Sequence, residues 1–141
     1  MNSPEELISI FDLQPLPGEG GLWSPIFRSK DGNAIHFMMI SPDFSAWHRL
    51  TEPELWVHIA GAPIDLFTIE RNRLSHTVLS SEGPIRSYRV PPNIWMAARP
   101  KVGWSLAICA LTPPFSGMEL GNRKQLSEEF PNLEIPELFH G

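Results

Sequence analysis

At 141 residues the chain is the size of one domain and long enough to bury a sizeable core. Its net charge of -5 argues against a nucleic-acid partner, which needs a basic surface, and its single cysteine, Cys109, excludes an intramolecular disulfide scaffold. No apolar run has the length of a membrane span, and the opening M-N-S-P-E-E-L lacks the basic and apolar regions of a signal peptide, so a cytoplasmic location with no membrane partner is expected.

In chain order, Ser3 is placed to cap a helix over Pro4–Phe11, with Pro4 in its first turn and Glu5 and Glu6 at the positive end of its dipole. Five short apolar runs follow, at residues 34–40 (A-I-H-F-M-M-I), 55–60 (L-W-V-H-I-A), 64–69 (I-D-L-F-T-I), 85–90 (I-R-S-Y-R-V) and 104–111 (W-S-L-A-I-C-A-L). The 15 prolines and 10 glycines fall between such runs, as turn punctuation does in an all-β sandwich or barrel. The loose basic pair Arg71 and Arg73, beside Glu70, reads as a solvated turn. Residues 122–130 (N-R-K-Q-L-S-E-E-F) predict a second short helix stopped before Pro131, and residues 136–139 a further helical turn. With no repeat, low-complexity tract or linker, residues 1–141 read as one domain.

The stretch with most chemical content is W-H-R-L-T-E-P-E-L-W-V-H-I-A-G, residues 47–61, which sets His48, Glu54 and Gly61 at fixed spacing among residues of strand character. A histidine and a carboxylate in an apolar protein are costly unless paired, so together they mark a pocket. The spacing resembles the first motif of the cupin superfamily, G-x5-H-x-H-x(3,4)-E-x6-G, with Leu50 at the second histidine's place. V-P-P-N-I-W-M, residues 90–96, resembles the second motif, with Asn93 for its glycine and Met96 for its histidine. Two of the four usual metal ligands are therefore missing.

The whole chain is similar to a group of small cupins classed as a domain of unknown function. The shared segments are L-Q-P-L-P-G-E-G-G (13–21), I-F-R-S (26–29), W-H-R-L-T-E-P-E-L-W (47–56), V-P-P-N-I-W-M-A-A (90–98) and P-P-F (113–115). The chain departs from the group at Leu16, Gly18, Pro53 and Met96, mostly by losing polarity. The resemblance implies a double-stranded β-helix, or jelly-roll barrel, with short terminal helices, a ligand in its mouth, Glu19 reaching that pocket, and a homodimer.

In such a barrel, strand period two puts Glu54, Trp56 and His58 on one face, with Glu54 and His58 about 13 Å apart. That is too far for both to bind one metal at ~2 Å. His48 and Glu54 are therefore the candidate metal ligands, with His36 or water as a third group; a divalent transition metal is the alternative to a site without a cofactor. Several residues keep a plain structural reading beside the functional one. His48 also fits a hydrogen-bonded core position, Glu54 an ion pair with Arg49 or Arg28, and Trp56 and Trp95 core packing rather than the walls of a ring-binding pocket. Cys109 reads as an inert buried thiol, and His76 and His140 as loop and tail residues.

Two function classes follow. In one, His48 acts as general base oriented by Glu54, with Glu54 or His58 handling a second proton, in a metal-independent isomerase or epimerase for a carbohydrate-like or cyclic polar substrate. In the other, the same pocket, bounded by Glu19, Arg28, His36, Trp56 and Trp95, binds a small polar or ring-bearing ligand without chemistry. A metal-dependent cupin oxygenase ranks third, because the missing histidines count against it.

Overall fold

The computed structural model describes residues 2–141. Strands β1 (Gln14–Pro15), β2 (Leu22–Arg28), β3 (Asn33–Ile40), β5 (Glu54–Gly61), β8 (Ser87–Val90) and β10 (Trp104–Leu111) form one sheet, in the order β1-β2-β3-β10-β5-β8. Strands β4 (Ser45–Leu50), β6 (Ile64–Glu70), β7 (Arg73–Leu79), β9 (Trp95–Pro100) and β11 (Met118–Leu120) form the other, in the order β11-β4-β9-β6-β7. All recorded pairings are antiparallel. The two sheets face each other as a double-stranded β-helix, the fold class expected from the sequence.

The alternation of the strands explains three apolar layers. Phe37 and Met39 of β3, Trp56 of β5 and Ala107, Cys109 and Leu111 of β10 pack inward against Leu50, Leu66, Met96 and Ala98 of the opposite sheet. Strand β9 is covered on both faces, so its other side chains, Trp95 and Ala97, join Trp47, Phe67 and Ile69 in an outer layer. Leu126 of helix α2 (Arg123–Glu129) and Leu138 of the C-terminal segment close that layer. Helix α1 (Pro4–Phe11) covers part of the six-stranded sheet, bringing Leu7 onto Met38 and Leu106.

Both helices begin where side-chain capping satisfies their free N–H groups. Ser3 Oγ accepts from the Glu6 N–H at 3.2 Å, and Glu6 Oε1 accepts from the Ser3 N–H at 3.1 Å. Asn122 Oδ1 accepts from the Gln125 N–H at 2.7 Å. Arg71 and Asn72, with φ of 54° and 58°, make the two-residue turn joining β6 to β7. Asn93, at the second motif's glycine position, has φ 62°, a left-handed conformation that asparagine tolerates better than most residues.

Two expectations change. The run at 85–90 is a strand only over Ser87–Val90. Residues 136–139 are not helical, because their backbone serves Trp47: the Trp47 indole donates to Pro136 O at 2.9 Å, and its N–H to Leu138 O at 3.1 Å.

Candidate functional site

A cavity of about 250 Å³ opens at one end of the barrel. Its walls are Leu16, Trp23, Pro25, Phe27, Ile35, Leu50, Leu111, Phe115 and Met118, and its polar lining is Glu19, Arg28, Asn33, His48 and Glu54. The walls come from both sheets and from the connections before β2 and before β11, so the polar groups are set in an apolar chamber.

Glu19 is delivered by a tight loop. Gly20 and Gly21 have φ of 96° and 79°, and a Cβ on Gly20 would run into the Phe44 carbonyl. That close approach lets Glu19 O accept from the Ala46 N–H at 2.8 Å, while Asp43 Oδ2 accepts from the Gly21 N–H at 2.9 Å. The loop is thereby tied to the start of β4. Ser45, fully buried on that strand, donates its hydroxyl to Glu19 Oε2 at 2.6 Å.

His48 lies three residues further along β4, 1% exposed. Its Nδ1 is 2.7 Å from Ala46 O, and a carbonyl only accepts, so Nδ1 carries the proton. In the neutral ring Nε2 then holds a lone pair, and its nearest protein carboxylate oxygen, Glu19 Oε2, is 3.7 Å away. Glu54 opens β5, 7% exposed, and accepts from the Trp56 indole N–H at Oε1, at 3.1 Å. Burial, and then the negative charge of Glu19, push its pKa up to about 8; the Trp56 hydrogen bond opposes them only partly. At neutral pH Glu54 is therefore a carboxylic acid, a hydrogen-bond donor in an apolar chamber.

At the rim, Arg28 donates from Nη2 to Phe115 O at 2.8 Å, and the Phe115 N–H donates to Asn33 Oδ1 at 2.6 Å. The next residue, Ser116, donates its hydroxyl to Glu52 Oε2 at 2.6 Å, and Thr51 donates to the same oxygen. Burial acts to raise the pKa of Glu52, but the Ser116 and Thr51 hydrogen bonds outweigh it and hold it below the usual range. Phe115 is thus strapped across the mouth from both sides.

The residues singled out from the sequence divide into two groups. Glu19, Arg28, His48 and Glu54 line the cavity; Trp56, Trp95, His36 and His58 do not. Trp56 lies behind the wall, its indole bonded to Glu54 and its ring edge-on to Phe37. Trp95 points to the other side of its sheet, under the Arg49 guanidinium at 4.4 Å. His36 points outward from β3 and stacks on Phe11 of α1, with ring centroids 4.0 Å apart. His58 shares a face with Glu54 but both ring nitrogens are committed: Nδ1 accepts from the Ser81 N–H and Nε2 donates to Ala62 O, each at 2.9 Å. It has no free nitrogen to relay a proton.

Neither expected arginine pairs with Glu54: Arg49 bonds Glu119 at 2.8 Å, and Arg28 bonds Phe115. His76 is a strand residue rather than a loop residue, and its Nε2 lies 2.8 Å from Asp65 Oδ1. Cys109 is buried in the core, and desolvation raises its thiol pKa well above the ordinary value. The sequence reading missed Trp23, Phe27, Asn33 and Met118; only P-P-F at 113–115, through its family likeness, pointed to the strap.

The cupin motifs imply a metal, and the donor set is the test of whether this chain would hold one. Leu50 and Met96, at the two missing histidine positions, are both in the apolar core. His36, the expected third ligand, faces away from the cavity and stacks on Phe11. Among the described residues, no group of three or more His, Cys, Asp or Glu is placed to hold a metal ion. The residues present do not fit a metal centre, and no step below runs through one.

Comparison with known proteins agrees with the geometry at the level of fold. A hypothetical protein from Leishmania major superposes with a TM-score of 0.87 at 24% identity, over 94% of this chain and 95% of its own. A protein from Shewanella oneidensis gives 0.86 at 24% identity, over 93% and 92%. The oxalate decarboxylase of Lactobacillus farciminis, in its formate complex, gives 0.64 at 14% identity, over 91% of this chain and 44% of its own. No protein of curated function matches the sequence. Among the described residues, no helix is long and apolar enough to cross a membrane. The family described as Cupin superfamily (DUF985) matches residues 5–120, and the chain belongs to it.

Proposed function

We propose that the barrel binds a small ring-bearing carbonyl compound and catalyses proton transfer on it, as a metal-independent isomerase. The observation that carries this reading is the meeting of two complementary groups in one apolar chamber: the acid of Glu54 and the Nε2 of His48, whose Nδ1 is bonded to Ala46 O. A buried acid kept neutral is suited to donate a hydrogen bond to an oxygen on which negative charge develops. On a ring ketone with a β,γ double bond, the imidazole takes the proton from the carbon between the carbonyl and that double bond, the bonding pair moves towards the oxygen held by Glu54, and His48 returns the proton to the γ-carbon as the double bond shifts into conjugation. The product is an isomer, and no oxidant or reductant is consumed. Glu19 supports the positive imidazolium formed midway, with Ser45 holding the carboxylate in place.

The walls refine the substrate. Ile35, Leu50, Phe115 and Met118 offer no partners for the hydroxyls of a sugar, so they support a ring with few polar groups over a carbohydrate. The volume equals that of about eight waters in the bulk, enough for one substituted ring. Incubation with a cyclic ketone in D2O tests the reading directly. Exchange of the protons beside the carbonyl should exceed the buffer rate and fall about 10²- to 10⁴-fold in His48→Ala. Exchange at the buffer rate in the folded wild type would instead leave a binding module without chemistry.

A further inference from the structure

We propose that the ligand is a carboxylate-bearing ring compound, its anionic group held at the rim by Arg28 and its uncharged oxygen at the floor between His48 and Glu54; this rests on the acid–base reading above. The charge layout carries it. The floor holds the Glu19 carboxylate and a second carboxyl close enough to feel its charge, so an anion seated there would be repelled in a medium of low dielectric. An anionic group has to sit at the other end.

Arg28 is the cation lining the cavity, and it is oriented but not neutralised. Phe115 O takes one of its five N–H donors, and Asn33 in turn fixes Phe115. Among the described residues, no carboxylate oxygen lies within 4 Å of the Arg28 guanidinium; Arg71, Arg73, Arg86 and Arg89 are likewise unpaired, but of these Arg28 alone lines the barrel cavity. A guanidinium fork pinned by a carbonyl, with its remaining donors free beside an apolar opening, is suited to a planar carboxylate. The exposed rings of Phe27 and Phe115 flank the same rim and would cover the ring carrying that group.

Calorimetric titration with 3-oxocyclohexane-1-carboxylate and its uncharged carboxamide tests this at neutral pH. The carboxylate should bind the wild type about tenfold more tightly, as a charge-assisted pair predicts. Arg28→Gln should bind the two compounds equally, and Arg28→Lys should recover part of the preference. Equal binding by the wild type, or a preference that survives in Arg28→Gln, overturns the anion subsite. Carboxamide binding that Glu54→Leu weakens, without any carboxylate preference, overturns the subsite alone. Failure of both compounds to bind the wild type overturns the subsite and the carbonyl reading together.

Discussion

Asp65 and Glu54 are both carboxyl groups buried on barrel strands, 4% and 7% exposed, yet their surroundings push them in opposite directions. Asp65 receives Lys101 Nζ at 2.8 Å, His76 Nε2 at 2.8 Å and Arg99 Nε at 3.4 Å. Burial alone would raise its pKa, but the hydrogen bonds from Lys101 and His76, with the Lys101 charge, hold it below the usual range. Glu54 has no cation, one indole N–H and a neighbouring carboxylate, and it is raised to about 8. A structural carboxylate is surrounded by groups that stabilise its charge. A carboxyl left to face a cavity without such groups holds its proton at the expense of stability, which is the arrangement expected of a working acid.

The largest difference should appear in stability against pH. Because the folded pKa of Glu54 lies above the unfolded value of 4.5, the folded state keeps a proton that the unfolded state has lost between about pH 4.5 and 8. Its contribution is full below pH 4.5 and is lost as pH rises through 8, at about 1.4 kcal/mol per pH unit across that window. Chemical denaturation of Glu54→Gln should show that slope removed and greater stability than the wild type at pH 8.5. A slope identical to the wild type's would mean that Glu54 is not the source.

Asp65→Asn should act with the opposite sign. At pH 7 it should cost about 1–2 kcal/mol, limited because the three partner side chains are 43–49% exposed. The cost should vanish as acid protonates the native aspartate below its ordinary value of 3.8. Ser45→Ala sharpens the contrast from the Glu19 side. Loss of its 2.6 Å hydrogen bond should cost about 1 kcal/mol by thermal or chemical denaturation. Phe115→Ala should have the smallest effect on stability, within about 0.5 kcal/mol because the ring is 39% exposed, while it weakens ligand binding.

The same contrast shows what was legible in the sequence. Prolines between short apolar runs announced an all-β sandwich or barrel, S-P-E-E announced the first helix through its cap, and the run at 122–130, stopped before Pro131, announced the second. His48 and Glu54 were found because a histidine and a carboxylate stand out among apolar strand residues. Alternation put Glu54, Trp56 and His58 on one face, but a period of two does not say which end of the strand meets the opening. Only Glu54 lines the cavity. Trp95 could not be assigned for a different reason: β9 is buried on both faces, so its side chains read alike whether they face the cavity side or α2. Arg28 was singled out and P-P-F marked Phe115, but their meeting with Asn33 was hidden because it spans more than eighty positions of chain. Asp65 drew no notice, since its partners come from two other stretches, one at His76 and the other at Arg99 and Lys101.

The acid–base site depends on Glu54 holding its proton at neutral pH. Infrared difference spectroscopy of the wild type against Glu54→Gln, titrated from pH 4 to 10 in D2O, reads the carbonyl stretch of that one protonated carboxyl group. A band present at pH 7 and lost with a midpoint near 8 is the predicted result. A band already gone by pH 6 would make Glu54 an ordinary carboxylate and contradict the acid–base site.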